Sequence, residues 1–530
     1  MAAPLKIMNV CKKCSKFRSI HRCFSTNVYL NKGLVLGVYE AETKGDPVDV
    51  ASSPSAAYFN KQTDGQLASV LKLATCNLKK GGSRVLYGVV PGYDITAVCC
   101  LGKRGTRYSK QEGFEEGWEN IRAAVAGGVR ALRSVGETQV DVDPCLMAEA
   151  AAEGGHLALF EYDELKNPEK RKKRVSLACL TQHMTASDPA SVENVSSLWQ
   201  RGCGKAEGQN LARHLMEAPS NKLTPRAFTE LVQAKFANRP NVKVTVRDRA
   251  WIEGEKMGAF LSVAQGSREP PYFLEIVYKH PQCTMEKPIA LVGKGITFDT
   301  GGISIKPSAS MDLMRADMGG AACVVGSLLA VDRLGTNTFV HAFIPLCENM
   351  PGGAAIKPGD VVTARNGKSI QIDNTDAEGR LILADALSYA ETVNPCLILD
   401  MATLTGAIDV ALGSAATGVF AKSTETFNTL QKAGSRTGDR MWRMPLFSHY
   451  SGQVTDCQLA DVNNVGKYSR SGGSCTAAAF LKEFVTHEDW LHLDIAGVMS
   501  NKDEVPYLGK GMAGRPTRTI VEFIHMISSS

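Results

Sequence analysis

NTDAEGRLILA, residues 374–384, sets two carboxylates, Asp376 and Glu378, two positions apart and places Arg380 at the same interval beyond them. In an extended segment residues i and i+2 point to one side, so both acids can face a single cation. Ile370-Gln371-Ile372 before them reads as strand, and Leu381-Ile382-Leu383-Ala384 after them opens an apolar run of helical character. Acids clamped between a strand and a buried helix are more than solubility requires.

Partners for these acids occur earlier, in VGKGITFDTGGISIK (292–306) and MRADMGG (314–320). Asp299, Asp317, Asp376 and Glu378 are then four carboxylates on loops that strand order can bring together. Crowded carboxylates raise one another's pKa unless a cation neutralises them. A pair of divalent metals does so, and such pairs sit roughly 3.5–4 Å apart in hydrolases. With 10 histidines and no HExxH, a single-zinc histidine site is not indicated. Gly293, Gly295, Gly301 and Gly302 let backbone approach a ligand closely. A lysine in a glycine-rich turn otherwise reads as a phosphate contact, but Lys294 lacks the Ser/Thr and the glycine spacing of a P-loop. Spacing alone leaves a metal site and ordinary surface acids both open.

Taken together, the three segments resemble, nearly residue for residue, the leucyl aminopeptidase family of two-metal exopeptidases, close to its animal and insect-type members. The likeness continues over most of the chain. It implies an α/β protein of two domains, each a mainly parallel or mixed sheet flanked by helices, with the catalytic site in the C-terminal domain. It implies two divalent ions per subunit, Zn²⁺ with Mn²⁺ or Mg²⁺ as alternatives at one site. Asp299 and Glu378 would bridge them, Asp376 would ligate one, and Lys294 and Asp317 the other. A lysine ligand must be neutral, so Lys294 is expected to have a strongly lowered pKa. Lys306 and Arg380 match the family's catalytic residues outside the ligand set. Lys306 would stabilise charge on the scissile carbonyl oxygen as metal-activated water attacks it. Arg380 would hold a bicarbonate ion that passes the proton to the leaving amine. Met314, Thr403, Gly406, Ala496 and Met499 match the pocket for the first substrate side chain, with Asn374 and Leu404 beside it. Such a lining suits Leu and Met, since thioethers adapt to irregular apolar shapes. The segment GKYSRSGGSCT (466–476) is one residue longer than the family pattern, which bears on the substrate entrance rather than the chemistry. Peptide substrates and a homohexamer with central catalytic domains follow from the same likeness.

Composition agrees with a globular protein rather than a disordered one. The chain has 530 residues, 44% hydrophobic and 22% charged, and no apolar run approaching a membrane helix is read in it. Its 15 cysteines form no repeating framework, which suits a reducing compartment. The net charge of +6 is misleading: six basic residues and no acid precede residue 25, leaving 6 − 6 = 0 for the remainder. A neutral body has no general attraction to nucleic acid, which also sets aside the DNA-binding role of some bacterial members. The charge run Lys166–Lys173 reads as a solvated loop.

In chain order, residues 1–26 have the basic, serine-containing, acid-free profile of a mitochondrial transit peptide, cleaved near Phe24, and predict the matrix, with the cytoplasm as alternative. The pair Cys11 and Cys14 within that leader has no second pair to complete a zinc site. Residues 27–190 are read as an N-terminal α/β domain, with apolar runs at 34–38, 85–90 and 97–101. There Trp118, Ile121, Val125, Val129 and Leu132 fall at helical spacing. Residues 191–222 are read as a linking helix and 223–530 as the catalytic domain. Its buried strands at 289–292, 339–344 and 396–399 lead into loops bearing Lys294, Asp299, Glu348 and Thr403-Leu404-Thr405-Gly406. An alternative function, a structural bulk protein of sperm mitochondria with low activity, is known among insect paralogues with damaged sites. Here no ligand position is substituted.

Overall fold

The computed structural model describes residues 32–41, 48–74, 78–181, 189–468 and 471–529. The basic leader with Cys11 and Cys14, and residues 469–470 of the longer loop, lie outside them.

The N-terminal sheet runs in the order Ser83–Val90, Tyr93–Cys100, Gly33–Glu40, Gln139–Val142, Ser176–Cys179. Its first pair is antiparallel and the other three are parallel, so the sheet is mixed. The helix Glu116–Ser134 covers one face with Ile121, Val125, Val129 and Leu132 buried, as its spacing predicts. The charge run at 166–173 is exposed.

The second sheet follows the order Arg440–Arg443, Ala416–Ala421, Trp490–Asp494, Leu397–Ala402, Ile289–Gly293, Phe339–Asn349, Tyr272–Lys279, Val242–Arg247. Four central strands, 490–494, 397–402, 289–293 and 339–349, are parallel neighbours. Their side chains are almost wholly buried, because helices cover both faces of the sheet. The helix Gly379–Ala390 on one face carries Leu381, Ile382, Leu383 and Ala384 without exposure. Burying each of the three larger side chains contributes about 1.5–3 kcal/mol. A helix apolar all round belongs inside a domain.

Between the sheets runs one long helix, Pro189–Glu217, of 29 residues. Gly208 explains how it seats so deeply: a Cβ there would lie 2.4 Å from Gly326 O on the helix Gly319–Arg333. Only glycine lets the two backbones approach this closely. The stretch 311–333 that ends with this helix is long and apolar enough to cross a membrane, which corrects the expectation that no such run exists. Its apolar window is 89% buried inside the fold, so its hydropathy reflects the core.

Candidate metal centre

The charged residues matched to the family's site arrive at the same end of the parallel strands. Lys294 follows strand 289–293, and Asp299 ends the short strand Gly295–Asp299 paired to Asn349. Asp317 closes the 3-10 turn Met311–Ala316 just before helix 319–333. Asp376 and Glu378 lie between strand Ser369–Ile372 and helix 379–390, and Arg380 sits in that helix's first turn. Carboxyl ends of parallel strands are where open α/β sheets hold ligands.

Two lysines organise the acids. Lys294 Nζ lies 2.8 Å from Asp317 Oδ1, 2.9 Å from Glu378 Oε1 and 3.0 Å from Thr403 O. Lys306 Nζ lies 2.7 Å from Asp299 Oδ2 and also bonds Asp376 Oδ1. Ligand oxygens of Asp299, Asp376 and Glu378 come within 4.8 Å of one another. Gly379 is required here, since a Cβ would stand 2.5 Å from Lys294 Cε.

Four carboxylates and two ammonium groups leave a formal charge of −4 + 2 = −2 in a buried space. The acids register that deficit. Burial and the neighbouring Glu378 push Asp299 up to about 6 despite Lys306. Asp317 and Asp376 are raised, first by burial and then by Glu378, whereas Glu378 itself is drawn down by Lys294 and Lys306 against its burial. The neutral form expected of Lys294 belongs to a site holding a metal, and among protein charges alone the balance runs the other way. Burial works against its charge, but Asp317, Glu378 and Asp299 outweigh it and hold the amine above its usual range. With only protein charges around it, this lysine does the neutralising that a metal would otherwise do.

Whether the residues suit a metal pair can be judged from what remains unpaired. Glu378 Oε2 and Asp317 Oδ2 are buried and accept no hydrogen bond, although Lys294 Nζ is 2.7 Å from the latter. A buried carboxylate oxygen without a partner costs about 1–3 kcal/mol or more, so it calls for a cation. The oxygen-rich donor set with one amine fits divalent zinc or manganese. Arg380 shows a matching gap for an anion. Its Nη1 donates to Asn464 O at 2.7 Å, yet its buried Nε has no partner. Among the described residues it forms no ion pair with Glu378 or Asp376. Burial lowers its pKa to about 10, which still leaves it charged at neutral pH.

The pocket residues are less uniform. Thr403 is buried, with Oγ1 donating to Asp317 Oδ1 at 2.8 Å, and its carbonyl is already taken by Lys294. Met314, Leu404, Ala496 and Met499 are half-buried, and Gly406 is exposed with open space where a Cβ would point. The Asn374 side chain turns inward and accepts from Asp376 N at 2.9 Å, so it shapes the acidic loop.

Two asparagines and an aspartate that the sequence reading passed over complete the site. Asn349 Nδ2 donates 2.8 Å to Asp299 Oδ1 and 3.1 Å to Thr375 O. Its neighbour Glu348, singled out instead, accepts from Ser267 Oγ at 2.6 Å. Alternation along the strand sends the two side chains to opposite faces, and a polar residue at the very end of a buried strand was the available signal. Asp494 accepts from Leu404 N, Thr405 N and Ala496 N at 3.2–3.3 Å, fixing the pocket loops together. Asn464 had no sequence signal.

Comparison with known proteins agrees with this arrangement. The family description "Cytosol aminopeptidase family, catalytic domain" matches residues 210–521, and the family's N-terminal domain matches residues 35–169. A cytosol aminopeptidase of Sus scrofa is 55% identical over 93% of this chain and 92% of its own length. That of Dictyostelium discoideum is 44% identical, with the same two shares covered. Among solved structures, a tomato leucine aminopeptidase variant superposes with a TM-score of 0.78 at 30% identity, covering 94% of this chain and 95% of its own. The bottromycin maturation enzyme BotP in complex with Mn gives 0.77 at 30% identity, covering 94% and 99%. Acids converging at the strand ends, two lysines among them and full-length likeness lead to one conclusion: the chain belongs to the cytosol aminopeptidase family of metal-dependent aminopeptidases.

Proposed function

We propose that the chain removes N-terminal residues, leucine and other apolar residues by preference, from peptides. The observation that carries this reading is the buried acid cluster, in which Glu378 Oε2 has no hydrogen-bond partner and Lys306 stands against Asp299. Asp299, Asp376, Glu378, Asp317 and Lys294 would hold two divalent cations, which when bound supply Lewis-acid polarisation and an activated water.

The chain's own residues do the rest. Lys306, kept cationic by Asp299, Glu378 and Asp376 although burial opposes it, stands ready to stabilise negative charge on the scissile carbonyl oxygen. Arg380 keeps its proton, so it serves as an anchor for bicarbonate through its free Nε rather than as a base. Met314, Ala496 and Met499 offer an apolar and adaptable lining, and the open space at Gly406 admits a branched side chain.

Hydrolysis of leucyl amide, its N-acetylated form and aspartyl amide by the purified chain tests the reading. Fast cleavage of the first alone is expected. Cleavage of the blocked substrate, or a preference for the acidic one, would sink it. For assembly, family likeness supports a homohexamer. Sedimentation at micromolar concentration is expected to give six chains, and a stable monomer would contradict it.

A further inference from the structure

Asn464 is fully buried at the end of the small three-stranded sheet Asp360–Thr363, Ser369–Ile372, Val462–Asn463. Strand 462–463 pairs in parallel with 369–372, and Asn464 N extends the ladder to Gln371 O at 2.9 Å. There the neighbouring chain leaves the sheet to form the acidic loop. The asparagine side chain then takes over as the pairing partner. Its Oδ1 accepts from Asp373 N at 2.9 Å and Asn374 N at 3.3 Å. Its Nδ2 donates to Asn374 O at 2.7 Å and Ala377 O at 3.4 Å. Its own carbonyl accepts from Arg380 Nη1 at 2.7 Å.

One residue thus braces both sides of the acidic turn that carries Asp376 and also sets the Arg380 guanidinium. From this we infer that Asn464 is a positioning residue for metal binding: it holds the 373–377 turn in the shape that aims Asp376 and Glu378 together. The inference rests on the metal-dependent reading above. Among the 20 side chains only an amide supplies an acceptor and two donors on so short a stem. Aspartate has the same shape but turns a second oxygen toward the carbonyls of Asn374 and Ala377. Alanine removes the side-chain partner of all four backbone groups, and of these Asn374 O still accepts from Ala377 N. Asn463, next along the strand, serves as a control, because its side chain donates to Asp373 Oδ2 at the exposed edge and accepts from Val465 N of its own segment, without touching the backbone of the 373–377 turn.

The test is calorimetric titration of the chelator-treated full-length chain with Zn²⁺ and with Mn²⁺, beside its metal-free melting curve. Asn464→Asp and Asn464→Ala are expected to bind at least tenfold more weakly while melting as folded proteins without metal. Asn463→Ala is expected to bind within about twofold of the unaltered chain. Unaltered affinity in both Asn464 variants, or an Asn464 variant already unfolded before metal is added, overturns the positioning role. Failure of the unaltered chain to bind either metal would strike the functional reading instead, so the two failures are distinguishable.

Discussion

Lys306→Ala is expected to lower kcat by about 10²–10³-fold on leucyl amide, the scale of a deleted oxyanion donor, while metal content stays near that of the unaltered chain. Lys306 is not needed to assemble the ligand set. It competes with cations for Asp299 and Asp376, which it contacts directly. Removing its charge makes the acids more, not less, hungry for a divalent ion. Glu378→Ala is the counterpart. It removes the carboxylate with the orphaned oxygen, the one drawn down by both lysines, and is expected to lose metal and activity together. Metal analysis and turnover on both variants separate the roles. A metal-free Lys306→Ala protein, or a Glu378→Ala protein with both ions, would show them misassigned.

Glu153→Ala is expected to reduce unfolding stability by about 3–5 kcal/mol, read from the denaturation midpoint. Glu153 is without exposure and joins three parts of the chain. Its Oε2 accepts from Arg122 Nε at 2.5 Å and Arg518 Nη1 at 2.6 Å. Arg518 in turn donates to Gln209 Oε1 at 2.6 Å on the long connecting helix and to Tyr507 OH at 2.9 Å. Deleting the carboxylate leaves the buried Arg518 without a directly paired acid and Arg122 with Glu119 alone, and an under-compensated buried charge is costly. Arg174→Ala is the comparison. It breaks an ion pair with Asp163 whose arginine is 70% exposed and is expected to change stability by less than about 1 kcal/mol. Equal losses in the two variants would show that the buried network is not what couples the layers.

The contrast between these two clusters shows what the sequence carried. Short-range spacing and glycine context singled out Asp299, Asp376 and Glu378, but left ordinary surface acids open, and their ligand roles came from the family resemblance. Apolar runs gave three of the four central strands, because burial on both faces leaves no polar alternation to confuse the period, whereas 490–494, with His492 and Asp494 in it, was not read. Glu153, Arg122 and Arg518 were not legible, since Arg122 and Glu153 lie on separate helices and Arg518 joins them from more than 300 residues away. Asn464 shows the same limit within the site. A lone asparagine in a polar stretch reads as a turn residue, and its partners on 373–377 become neighbours only through parallel strand pairing. Lys294 shows a different one. A neutral ligand role would require a bound metal, whereas the protein charges alone hold this lysine protonated.

The central claim is that the four-acid cluster binds two divalent cations and acts only with them. Metal analysis of the purified chain before and after dialysis against a chelator, with leucyl amide hydrolysis followed in parallel, tests it most directly. The expected result is about two equivalents per chain, loss of turnover with loss of metal, and its return on adding Zn²⁺ or Mn²⁺. Undiminished hydrolysis by the metal-free chain would contradict it.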